Sequence, residues 1–427
     1  MIKFDKDVLS ALHKLESEGF ETYAAGTCVR ESLAGATVYD WDLITRAGID
    51  DMKRLFPDSL VLSQARQIIR VDYTYEVERK DEDDNVTTNL EGAVLDIRNF
   101  EGEVEEFLRK QGFTIDAMAD NPERSFIDPF EGREDIKKKL IRTIKDPDEL
   151  FKAEPIRMLQ AVRMAAELDF DLHKSVFDAI TVNWRRLADH DADEIRPEFE
   201  MLLTADNAGK GLNMLAGTGL MPVIIGEDLA RHMKSGEMKN FLKLCENIDK
   251  TMPVRMRRLG LFYTIFDKKR GLEAIERMKF DEESRGLLKD AMLEFINIQF
   301  LGDIKQFKKY VSELGMERYD YLHNLNKAQR IVYEQELTKV DSRNYYMKEI
   351  VTNKEPLFAE DLCIDINDIM EAGITDDPEK AESILFMCLA PVHDDPKNND
   401  RTYLLKMAKK YSKSKLASST RYVTWLK

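Results

Sequence analysis

The stretch Tyr23-Ala24-Ala25-Gly26-Thr27-Cys28-Val29-Arg30-Glu31, followed after a turn at Gly35-Ala36-Thr37 by Asp40-Trp41-Asp42-Leu43-Ile44-Thr45, decides the fold. Apolar, strand-like residues run into Gly26 and helix-compatible ones leave it, so the segment reads as strand, glycine bend, helix, turn and second strand. Residues two apart on a strand share a face, so Asp40 and Asp42 present two carboxylates side by side while Trp41 and Leu43 point to a packed face. Two adjacent carboxylates repel unless a cation sits between them, and hard oxygen ligands favour Mg²⁺. On its own such a pair is equally a solvated strand end. The bend upstream gives it chemical meaning: backbone N–H groups at the helix start after Gly26 receive phosphate oxygens, and Arg30 adds a charged fork. A phosphate-holding turn followed closely by two metal ligands is the arrangement that nucleotidyl transfer requires.

Outward from this segment, Gln67 to Val71, Tyr75 to Val77 and Val94 to Ile97 are further strands, rich in Val, Ile and Tyr. Between the last two, KDEDDNVTTNLEG carries no apolar periodicity and reads as a mobile loop. From Asp135 onward the pattern turns helical, with Ile156, Leu159, Val162 and Ala166 at helical spacing. Pro222, Pro253, Pro356 and Pro378 mark turns between helices. Strands first and helices after predict an α+β head followed by an all-α remainder. No fixed-period repeat supports a solenoid. The cuts fall near 140, 205 and 320, giving segments 1–140, 141–205, 206–320 and 321–427.

The 427 residues exceed one ordinary core, and 43% hydrophobic with 34% charged residues describes a core-forming chain with a highly charged surface. No run is long and apolar enough for a membrane helix, and the acidic, amphipathic N-terminus lacks the apolar stretch of a signal peptide. Cys28, Cys245, Cys363 and Cys388 are scattered, which predicts neither a disulfide framework nor a zinc site and fits a reducing cytoplasm. A net charge of −16 argues against a surface that coats nucleic acid everywhere, so a polyanion must be held by local patches. Arg401 to Lys427 is one candidate, with eight Lys or Arg and no Asp or Glu, although a solvated tail has the same composition.

Five ordered motifs carry a resemblance. Ala25 to Glu31 with Asp40-Trp41-Asp42 resembles the VGGxVRD…DxD signature of class II tRNA nucleotidyltransferases (CCA-adding enzymes) and bacterial poly(A) polymerases. Phe113-Thr114-Ile115-Asp116-Ala117-Met118-Ala119 is similar to the end of that family's RRDFTINAMA, and Ile127-Asp128-Pro129-Phe130-Glu131-Gly132 to its IDPFGG. Glu154-Pro155-Ile156-Arg157-Met158-Leu159-Gln160-Ala161-Val162-Arg163 resembles its EDPLRMLRAVRFA, and Glu360-Asp361-Leu362 through Met387 resembles its tail segment. The resemblance implies a polymerase-β-like nucleotidyltransferase head with a small mixed sheet in 1–140, a neck with a nucleotide-recognition helix in 141–205, a helical body in 206–320 and an RNA-contacting helical tail in 321–427. It implies template-independent addition of C, C and A to tRNA 3′ ends from CTP and ATP, with Mg²⁺ held by Asp40 and Asp42. The nucleotide would be bound by Gly26, Thr27, Arg30, Gln111, Glu154, Arg157, Gln160 and Arg163. The last four recur every three residues, so they form a curved polar ribbon that turns about 60° per step around the helix. An arginine fork there meets a cytosine edge, and a carboxylate accepts from an exocyclic amine. Asp96, or else Glu76, is the candidate third carboxylate.

The chain departs from these motifs at identifiable places. Thr27 stands at the second glycine, Glu31 at the aspartate of VRD, Gln111 and Gly112 at an arginine and an aspartate, Glu154 at an aspartate and Gln160 at an arginine. These departures leave two further readings open: an RNA-binding relative with impaired transfer, and a polymerase that adds poly(A) or only part of CCA. His190-Asp191 has the dipeptide of metal-dependent phosphohydrolases, but the chain's six histidines have no spacing that builds such a site.

Overall fold

A computed structural model describes residues 2–80, 86–299 and 301–414. The chain divides into two compact units, Met1–Val223 and Ile224–Lys427. The first begins with a helix, α1 (Lys6–Ser17), capped by the Asp5 carboxylate and burying Val8, Ala11, Leu12 and Leu15 along one stripe. The strands follow: β1 (Thr22–Ala25), β2 (Asp40–Thr45), β3 (Leu60–Ser63), β4 (Ile68–Asp72), β5 (Tyr75–Lys80), β6 (Val86–Glu91), β7 (Val94–Asn99) and β8 (Ala119–Asp120). Six of them make one mixed sheet in the order β3-β4-β7-β2-β1-β8, with β2 parallel to β7 and the other neighbours antiparallel. Trp41 and Leu43 face a core shared with α1, and Phe4 stacks on the Trp41 indole at 5.3 Å. Tyr23, Ala25 and Ile44 pack on the opposite face with Phe100 and Leu108.

One expectation needs correction. Half of the stretch read as a mobile loop is β6, paired antiparallel along its length with β5 in a separate two-stranded ribbon. The β-branched run Val86-Thr87-Thr88 favours a strand, a preference masked by the acidic residues before it. Residues 81–85 of that stretch lie outside the described residues.

After the sheet come α2 (Thr27–Ala34), which belongs between β1 and β2 in sequence, α3 (Ile49–Leu55), α4 (Val104–Leu108) and α5 (Gly132–Lys138). Four longer or flanking helices complete the first unit's functional part: α6 (Pro147–Ala153), α7 (Arg157–Leu168), α8 (Lys174–Asn183) and α9 (Ala192–Thr204), with α10 (Ala208–Gly217) packed on α7 and α9. The sequence cuts at 140 and 205 both fall inside this unit, and α7 and α9 belong to it.

The second unit is helical. Its helix Met316–Val332 runs through the cut placed at 320, which is therefore not an element boundary. Leu362, Ile369, Ile384, Leu389, Val392 and Leu404 form a separate core near its C-terminal end. Pro378 starts the helix Pro378–Met387 after the Asp377 cap, whereas Pro222 lies in the first turn of the short helix Met221–Ile225, where its missing N–H costs nothing. The expected basic tail is described as far as Ser414, and its remainder lies outside the described residues. Among the described residues, no helix is long and apolar enough to cross a membrane.

Candidate active site

The bend at Gly26 is set by backbone conformation. Its φ of 82° lies where L side chains are rarely found, while a Cβ there would meet nothing closer than the Asp116 carbonyl oxygen at 3.9 Å. The Gly26 N–H donates to the Met118 carbonyl at 3.1 Å, leaving α2 to start without a side-chain cap. Its first N–H groups are thus available at the mouth of a cavity of about 710 Å³ lined by Gly26 and Thr27. Beneath the turn Cys28 is fully buried, and burial pushes its thiol up to about 12, so it is an inert packing residue.

Asp42 and Ile44 of β2 line the same cavity. Asp42 is directly opposite Asp96 on parallel β7, and Asp40 precedes it by two residues on the same face. Burial raises the Asp42 pKa, Arg98 pulls it back, and the Asp96, Asp40 and Asp116 carboxylates push it up; the result is upward. Asp96 is already held by a two-pronged ion pair from Arg70, at 2.7 and 2.8 Å. Glu76 sits on β5, in the separate ribbon, and is exposed. Among the described residues no three His, Cys, Asp or Glu side chains converge as a ready metal cage. The donor set still fits a magnesium-like ion, which typically takes one or two carboxylates and completes its shell with water and substrate phosphate. Asp40 and Asp42 are the carboxylates that would hold it.

Arg30, only 5% exposed, points into the cavity and is paired with Asp116 and, at 3.7 Å, with Glu31. Asp116 is a residue the sequence reading quoted without giving it a role. It closes a short turn, Thr114–Asp116, that is itself well anchored. The Thr114 hydroxyl donates to Asp135 at 2.6 Å, Arg142 donates to the same carboxylate at 2.9 Å, and Gly132 packs against the Thr114 carbonyl. Asp128 fixes the start of α5 by accepting from the Gly132 and Arg133 N–H groups at 2.7 and 3.0 Å. The Ile127–Gly132 motif therefore acts as scaffolding for the cavity floor.

The far wall is α7. Arg157, Gln160 and Arg163 line the cavity, as does Gln111; Glu154 adjoins it by accepting from Arg157 Nε at 3.0 Å. Arg157 also donates to the Gln160 side-chain oxygen Oε1 at 3.2 Å. Gln160 passes its amide N–H to Glu198 of α9 at 3.0 Å, and Glu198 accepts from Arg163 Nε at 2.6 Å. Arg163 closes the run by pairing with Glu167. Glu154, Arg157, Gln160, Glu198, Arg163 and Glu167 thus form one continuous ladder, in which the two carboxylates beside Arg163 outweigh the burial that disfavours its charge. Glu198 was absent from the sequence reading because it lies 35 residues beyond Arg163 on another helix. His190 and Asp191 do not enter the cavity wall: His190 pairs with Glu194, and Asp191 caps α9.

Residues 22–142 match the family described as the poly A polymerase head domain, and residues 169–232 match a probable RNA and SrmB-binding site of polymerase A. Over these two stretches the chain resembles the CCA-adding enzymes and poly(A) polymerases. The chain is 31% identical over 234 residues to the CCA-adding enzyme of Geobacillus stearothermophilus, a match covering 52% of this chain and 56% of that protein. It is 30% identical over 227 residues to the CC-adding tRNA nucleotidyltransferase of Halalkalibacterium halodurans, covering 53% and 56%. The chain thus spans about half the length of the curated relatives it matches. A crystal structure of the Bacillus stearothermophilus CCA-adding enzyme in complex with CTP shares the fold, with a TM-score of 0.74 at 20% identity, over 95% of this chain and 98% of that one. The mixed-sheet head followed by helices is the α+β arrangement expected from the sequence.

Proposed function

We propose that this chain is a template-independent RNA nucleotidyltransferase that adds CCA, from CTP and ATP, to tRNA 3′ ends. The observation that carries the reading is one cavity with Asp42 on one wall, Asp40 two residues before it on the same strand face, and the polar ladder of α7 on the other. The N–H groups at the start of α2, with Thr27, Arg30 and Gln111, hold the triphosphate. Glu154, Arg157, Gln160 and Arg163 meet the edge of the base, Arg157 with its donor fork and Glu154 with its acceptor oxygens. Glu198 keeps Gln160 and Arg163 in register for that task. Divalent metals serve this class of reaction in general, and we assign Mg²⁺ to Asp40 and Asp42, where it would neutralise the triphosphate and favour ionisation of the 3′-hydroxyl. Asp96 stays with Arg70 as a structural pair. The four free cysteines accord with a cytoplasmic setting.

Incorporation of labelled CTP and ATP into tRNA transcripts that end before CCA tests the reading, beside an Asp40→Ala/Asp42→Ala control. Ordered addition of three nucleotides, lost in the control, is the expected outcome. Two added cytidines or a long run of adenosine would keep the chemistry and change the specificity. The substitutions at Thr27, Gln111, Gly112 and Gln160 favour a second reading, an RNA-binding relative with reduced transfer, and binding of tRNA without incorporation would select it.

A further inference from the structure

The sheet face that carries Asp42 also carries Arg98, two residues after Asp96 on β7 and opposite Ile44. Two arginines therefore face two carboxylates, but they hold them differently. Arg70 grips Asp96 with both prongs at hydrogen-bond distance. Arg98 reaches Asp42 through a single approach of 3.5 Å, and its Nε, like that of Arg30, is buried without a hydrogen-bond partner. Arg98 lines the cavity with Gly26 and Thr27, whereas Arg70 does not. The other arginines of the cavity are more firmly committed: Arg157 to Glu154 at 3.0 Å, Arg163 to Glu198 at 2.6 Å, and Arg30 to Asp116. Arg98 is thus the cavity cation most readily redirected. The site also has Gln111 where the family motif has an arginine, so an incoming triphosphate meets one fixed charge fewer.

We propose that Arg98 is a placeholder cation: it neutralises Asp42 in the metal-free protein and turns to the triphosphate when a divalent ion takes its place. A divalent ion at Asp42 takes over the negative charge that now holds Arg98 and repels the guanidinium, so metal binding frees its fork for phosphate oxygens. Metal and nucleotide then raise each other's affinity by the same factor, because linkage is reciprocal. This inference rests on the transferase reading for its ligand, but its test does not depend on transfer.

Mn²⁺ binding to the nucleotide-free full chain is followed by electron paramagnetic resonance, and CTP binding in Ca²⁺ by calorimetry, for the wild type, R98M and R98K. R98M is expected to bind Mn²⁺ about fivefold more tightly, since a competitor of modest strength is gone. The same variant is expected to bind CTP about tenfold more weakly, with the coupling between the two ligands reduced. R98K keeps the charge without the fork, so Mn²⁺ affinity stays near the wild type while CTP affinity falls; it carries the test should R98M fail to fold. Unchanged CTP affinity in both variants, or R98M that binds Mn²⁺ no more tightly than the wild type, overturns the proposal. Ligand binding as expected with no incorporation into tRNA would sink the transferase reading and leave the role of Arg98 standing.

Discussion

Glu198 shows what single residues do in this site. Its carboxylate, 12% exposed at the side chain, ties Gln160 to Arg163, and no motif in the neighbourhood of α7 announces it. Glu198→Ala removes the acceptor for two donors and should cost about 2 kcal/mol of stability. It should also blunt the preference for CTP over UTP by about tenfold, measured as the ratio of kcat/KM values, while the conservative Glu198→Gln retains most of it. Asp42 behaves oppositely. Burial holds its pKa above the ordinary value, so its charged form is the costly one, and the charge lowers stability as pH rises through that raised pKa. Asp42→Asn should therefore leave the melting temperature at neutral pH unchanged or higher while nucleotide incorporation falls on the order of a thousandfold. A lower melting temperature would show that the Arg98 pairing matters more than burial. The Asp40–Asp42 pair and the three-residue spacing of the α7 ribbon were legible because each is written in adjacent residues. Glu198, Arg98 and Asp116 were not, since their roles come from helix packing, strand register and a turn that only the folded chain brings together.

Among the elements, β2 was readable because Trp41 and Leu43 alternate with Asp40 and Asp42, whereas β6 was hidden by the acidic run that precedes it. The α5 start explains a motif whose meaning the sequence did not disclose. A Cβ on Gly132 would lie 2.3 Å from the Thr114 carbonyl oxygen and 3.0 Å from Met118 Sδ, with no flexible tip to move aside at the first. Gly132→Ala should cost about 2–3 kcal/mol and shift the Thr114–Asp116 turn, read as a lower urea midpoint. Asp128→Ala, which removes acceptors for two N–H groups at the same helix start, should cost about 1–2 kcal/mol. If both variants unfold like the wild type, the cavity floor does not depend on this scaffold.

At the scale of the whole molecule, acid is a specific threat to the second unit. His323 is buried, and burial, with the nearby Arg343, lowers its pKa to about 4. Arg343 donates from Nε to His323 Nδ1 at 3.4 Å, which requires that nitrogen unprotonated. The unfolded chain takes up the proton first, so stability is full above about pH 6.5 and declines as pH falls toward 4, by about 3 kcal/mol at most. His393, also buried and lowered, acts in the same sense. His323→Gln should flatten the loss of melting temperature between those pH values. The net charge of −16 makes a further demand of the proposed function: tRNA would have to be held by local basic patches, so its affinity should fall steeply between about 50 and 200 mM salt. The paired strands β2 and β7 bear on the protein's birth as well as its work. Because Arg70 and Arg98 already answer the repulsion between Asp96 and Asp42, the newly made chain can close this sheet without waiting for a metal ion. A chelator present throughout refolding should leave the recovered structure intact, and a cell starved of divalent cations would accumulate a finished, idle protein rather than an aggregate.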